Sequence, residues 1–116
     1  MSFELACAAD QVGVEEAFPV TIGEYDVAVA RCEKPDGGSE FFAVQNLCTH
    51  AHVELSEGIV EDCTIECWLH GSQFSLRTGE PLQLPATEPV ATFPVEVRDD
   101  GIYVDTTTTL NGVTPQ

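Results

Sequence analysis

Short apolar runs rich in β-branched and aromatic residues alternate with turn formers along the chain, a pattern that predicts strands rather than helices. Phe18-Pro19-Val20-Thr21-Ile22 leads through Gly23 into Tyr25-Asp26-Val27-Ala28-Val29-Ala30-Arg31. After the turn Lys34-Pro35-Asp36-Gly37-Gly38, Glu40-Phe41-Phe42-Ala43-Val44-Gln45 forms the next strand. Near the end, Thr92-Phe93-Pro94-Val95-Glu96-Val97-Arg98 alternates apolar and polar positions, and Asp99-Asp100-Gly101 turns the chain into Ile102-Tyr103-Val104. Val95, Val97, Ile102 and Val104 are expected to face the core. The one helix candidate is a turn over Asp10 to Glu16, with Asp10 as its N-cap.

The middle of the chain differs. From about 46 to 89 the strands shorten, and all three histidines and the single tryptophan fall there. This segment reads as a subdomain inserted into an antiparallel β base built from both termini, with Pro85 and Pro89 bracketing the return loop. Residues 1–105 form one domain, and 106–116 are expected to be a disordered tail. A chain of 116 residues has room for an ordinary core and little room for a deep substrate cavity.

Charge narrows the partners. Twenty Asp and Glu against four Lys and Arg leave a formal charge of −16. Nucleic acid and anionic membrane surfaces need clustered cations and are excluded; a basic protein surface would be attracted. No apolar run reaches the roughly 20 residues that span a bilayer. The N-terminus lacks a secretory pattern, so the expected compartment is the cytoplasm. In that compartment the five cysteines are not expected to form a disulfide framework.

Two half-sites carry the chemistry: Cys48-Thr49-His50 and Cys67-Trp68-Leu69-His70-Gly71-Ser72, with sixteen residues between His50 and Cys67. Two thiolates and two imidazoles suit zinc or an iron–sulfur centre. Single-zinc knuckles usually place two or more residues between ligands. In an extended loop, C-x-H points both side chains the same way but displaces them along the chain, which suits two metal ions side by side. Cys48 and Cys67 would hold one ion, His50 and His70 the other.

These two boxes and their gap resemble the Rieske iron–sulfur signature, and the resemblance extends over roughly Phe3 to Asp105. It implies an all-β Rieske fold, an antiparallel base with a loop-rich cluster-binding subdomain, and one [2Fe–2S] cluster on Cys48, His50, Cys67 and His70. It also implies a shielding proline loop, matched by Leu84-Pro85-Ala86. Where respiratory and photosynthetic Rieske proteins carry an additional cysteine pair, this chain has Val53 and Leu69. Where they carry a tyrosine after the box serine, it has Phe74. Those departures point to the soluble ferredoxins of bacterial ring-hydroxylating dioxygenases. The implied function is one-electron transfer from a flavin-containing reductase to a terminal oxygenase, by a monomer that is not itself an enzyme. A role in iron–sulfur assembly or redox sensing, and a structural zinc module, are the competing readings. With fewer hydrogen bonds to sulfur, the potential should lie low in the Rieske span of about −150 to +300 mV.

The other residues singled out carry plainer expectations. His52 is read as an exposed loop residue, and Cys7, Cys32 and Cys63 as small core or strand residues. Trp68 is expected to pack beneath the cluster loop. Gly71 is expected to permit a backbone shape, Gly79 a turn, and Ser72 a hydrogen bond to sulfide. Thr49, Ala51, Leu69, Gly71 and Pro85 would surround the docking point.

Overall fold

A computed structural model describes residues 3–49, 53–69, 71–84 and 86–115. Among the described residues the strands form three sheets, antiparallel throughout as expected. One contains β1 (Glu4–Cys7), β11 (Gly101–Val104) and β10 (Val95–Arg98), in that order. A second contains β2 (Glu16–Ile22), β3 (Tyr25–Glu33), β4 (Ser39–Gln45) and β9 (Thr92–Phe93). The third sheet, β5 (Ile59–Glu61), β6 (Thr64–Glu66), β7 (Gln73–Ser75) and β8 (Pro81–Gln83), lies wholly within the inserted segment.

Strand β3 explains how the parts meet. Its period of two sends Val27 and Val29 into one buried cluster, with Val12, Phe93, Ile102 and Val104. Ala28, Ala30 and Cys32 point the other way, into a second cluster with Leu55, Ile65, Phe74 and Leu76 of the inserted segment. Valines fill the core of the base. The small alanines on the opposite face let the sheet of the inserted segment approach closely.

Several expectations change. Ile102 and Val104 are fully buried, but Val97 is 57% exposed. Val97 pairs with Ile102, yet β10 is the edge strand of its sheet, and it is Val95 at the start of β10, not Val97, that packs against the base cluster. The expected helical turn is a single 3-10 turn over Ala9–Gln11. Its N-cap is Ala8, whose N–H donates to the Gln11 side chain (2.8 Å), so Asp10 sits inside the turn rather than capping it.

The tail is also anchored. The Asn111 side chain donates to the carbonyls of Thr78 and Val90 (2.9 and 2.8 Å) and accepts from the Thr92 N–H (3.3 Å). The Leu110 N–H donates to the Thr92 carbonyl (2.8 Å). One amide thus satisfies several backbone groups of the base, which hydrophobic patterning does not reveal. Gly79, expected as a turn glycine, has φ +80, and a Cβ there would meet the Asn111 amide nitrogen at 2.6 Å.

The cysteines depart furthest from expectation. Cys32 and Cys63 form a disulfide, with Cα atoms 5.2 Å apart. Strand β3 and the β5–β6 turn meet in the packed core, within the reach of a bridge. Cys7 remains a buried thiol of the base, and burial pushes its pKa up.

Candidate metal centre

Each candidate box opens on a buried cysteine shortly after a strand. Cys48 follows β4 and is 2% exposed; Cys67 follows β6 and is fully buried. Both belong to the cluster-side core, and neither takes part in the disulfide. His50 and His70 lie outside the described residues, as do Ala51, His52 and Pro85.

Backbone hydrogen bonds close both loops. The Cys48 N–H donates to the Val53 carbonyl (3.1 Å), the Cys67 N–H to the Ser72 carbonyl (2.7 Å), and the Gly71 N–H to the Cys67 carbonyl (2.9 Å). The last turn needs the φ of +76 found at Gly71, so the expected backbone role is met.

The proline loop is tied to both boxes. Thr49 Oγ1 donates to the Glu88 carbonyl (2.8 Å), and the buried Ser72 Oγ accepts from the Ala86 N–H (3.1 Å). Ser72 keeps its own hydroxyl proton for a further acceptor, so its expected donor role is compatible with this bond. Replacing Ser72 with Ala strands a buried N–H at a cost of about 1–3 kcal/mol. The expected fall in Tm is about 5–10 °C, measured by thermal unfolding.

Two buried polar residues ahead of the first box were not singled out from the sequence. Gln45 accepts from the Ala91 N–H (3.0 Å) and donates to the Leu47 carbonyl (2.9 Å). Asn46 accepts from the Ser56 N–H (2.7 Å) and donates to the Ser56 hydroxyl (3.0 Å). They fix the chain as it leaves β4 and so set where Cys48 begins its loop. The available signal was a pair of amides ending an otherwise apolar strand.

Trp68 is 50% exposed and Leu69 42%, so the indole is a surface group and not packing beneath the loop. Leu82 and Leu84, approaching the proline loop, are 55% and 72% exposed. Buried thiols within closed loops, a buried hydroxyl in the second loop and a third loop fastened to both suit a cluster that must be shielded from water. The Rieske [2Fe-2S] domain model matches residues 2–94. The chain belongs to the Rieske [2Fe–2S] family. It carries one Rieske-type cluster.

The chain is similar to ferredoxin components of dioxygenase systems. The chain is 45% identical over 89 residues to the 3-phenylpropionate/cinnamic acid dioxygenase ferredoxin subunit of Photorhabdus laumondii, covering 62% of this chain and 85% of that one. The ferredoxin of carbazole 1,9a-dioxygenase from Nocardioides aromaticivorans superposes with TM-score 0.79 at 30% identity, covering 90% of this chain and 97% of the other. A chain from a complex of reduced oxygenase and oxidized ferredoxin in carbazole 1,9a-dioxygenase superposes with TM-score 0.76 at 35% identity, covering 88% of this chain and 91% of that one. Among the described residues no helix is long and apolar enough to cross a membrane.

Proposed function

We propose that this Rieske protein is the ferredoxin of a multicomponent oxygenase, taking single electrons from a flavin-containing reductase and delivering them to the terminal oxygenase. Cys48 and Cys67 would bind one iron, and His50 and His70 the other. The observation that carries the reading is the fastening of both ligand loops to one cover loop, through Thr49 to Glu88 and Ser72 to Ala86. Such a frame holds the site in one geometry in both oxidation states, which one-electron transfer requires. When bound, the cluster supplies a one-electron couple, raised by its two neutral imidazoles relative to an all-cysteine cluster.

The residues around it have separate tasks. Core packing around Cys48 and Cys67 excludes water from the sulfur side. The exposed Trp68, Leu69, Leu82 and Leu84 offer an apolar contact surface for a transient partner. The chain's formal charge of −16 attracts a basic partner and raises its encounter rate. We place the protein in the cytoplasm, as a monomer.

Reconstitution tests this directly. Reduced protein should give a rhombic EPR signal of low average g, and adding it to its reductase and oxygenase should restore substrate turnover. A colourless protein with one zinc per chain would overturn the assignment. Partner turnover should slow as salt rises from low to physiological strength, because the Debye length shrinks to about 8 Å; a flat salt profile would remove the steering role. Film voltammetry should place the potential low in the Rieske span, since Phe74 has no hydroxyl to donate. Ser72→Ala should lower it further.

A further inference from the structure

The Cys32–Cys63 bridge lies outside the ligand set and joins two parts of the fold. Cys32 is on β3 of the base sheet and is 1% exposed. Cys63 is the second residue of the two-residue turn between β5 and β6, bounded by the pair Glu61 and Thr64. Both turn residues are left-handed, with φ +52 at Asp62 and +58 at Cys63. A two-residue hairpin turn of this hand favours Asp-Gly, and any side chain at the second position is strained. Cys63 therefore holds a place where glycine would fold more easily, and its sulfur is joined to the base sheet. The Cys63 carbonyl also accepts from the Leu76 N–H (3.0 Å), fixing the turn against the end of β7. From Cys63 the chain runs directly through β6 into Cys67.

We propose that the Cys32–Cys63 pair is a second redox site, a two-electron disulfide clamp between the base sheet and the cluster-bearing sheet, whose reduction loosens the frame of Cys67 and shortens the life of the bound cluster. The reductant is a dithiol. One of its thiolates attacks the sulfur of Cys63, the less buried partner; the S–S bond breaks and Cys32 leaves as a thiolate that takes up a proton. The second thiol of the reductant then displaces Cys63, which is protonated in turn. The protein gains two electrons and two protons, and the reductant becomes a disulfide. Departure of a thiolate into the apolar site around Cys32 is slow, so the bridge persists where exposed disulfides would be reduced.

Thiol mapping tests the site without reference to the cluster. Cells expressing the chain are quenched in acid, and the protein is unfolded, alkylated and mapped by mass spectrometry. Cys7, Cys48 and Cys67 should be alkylated, and Cys32 and Cys63 recovered as one linked peptide. Alkylation of all five would overturn the proposal while leaving the carrier assignment, read from EPR, untouched.

The clamp itself is tested on the holoprotein, an arm that rests on the cluster assignment above. Dithiothreitol should lower the Tm by about 10 °C and accelerate loss of visible absorbance several-fold. The double variant Cys32→Ala with Cys63→Gly keeps the turn conformation without the bridge. It should bleach at the rate of reduced wild type and be indifferent to the reductant. Wild type that ignores dithiothreitol, or a variant that the reductant bleaches equally faster, would sink the clamp.

Discussion

Cys67→Ser is expected to yield a chain without visible absorbance, with iron per chain near background and no rhombic signal after reduction. Cys67 is fully buried at the mouth of the second loop, and its backbone N–H and carbonyl both close that loop. A serine oxygen is a poor, hard ligand for iron held among sulfurs. Cys48→Ser should behave alike, as should His50→Ala and His70→Ala if they complete the set. The apo chain should also melt well below the holoprotein, because binding energy at such a site is folding energy.

Cys7→Ser is the matching control. Cys7 lies in the base cluster, away from both boxes, and its burial keeps the thiol protonated above the ordinary range. Its variant should keep full absorbance. In the native wild type, Cys7 should resist alkylation at pH 8. Full colour in Cys67→Ser, or its loss in Cys7→Ser, would overturn the ligand assignment.

The next largest effect is expected from a residue with no chemistry of its own. Gly58 follows the 3-10 turn Leu55–Glu57 and precedes β5, and a Cβ there would run into the backbone carbonyl of Glu66. Its φ is −89, so the demand is for space and not for an unusual conformation. Glu66 immediately precedes Cys67. Gly58→Ala must push β6 outward, and the displacement passes to Cys67. Overpacking of this kind costs about 3 kcal/mol, or about 10 °C in Tm. Cluster retention after repeated reduction cycles should fall with it. An unchanged Tm and an unchanged bleaching rate would show that the β5–β6 edge yields freely.

Sequence reading was strongest where chemistry or alternation is local. The β2–β3–β4 and β10–β11 pairings follow from runs of β-branched residues broken by Gly23, Gly37-Gly38 and Asp100-Gly101. The two boxes were legible because few functions need Cys and His at that spacing. Reading faltered where a residue's surroundings come from elsewhere in the chain. Val97 alternates like a core residue but sits on an edge strand, and Trp68 is large and apolar yet lies on the surface.

Sequence alone thus determined the hairpin pairings and the acidic charge, since each depends on neighbouring residues or on simple composition. Tertiary structure alone decided that Cys32 meets Cys63 across 31 positions, that Asn111 fastens the tail, and that Thr49 and Ser72 hold the cover loop. Those contacts join distant segments, and their geometry exists only once β3 has been buried on both faces.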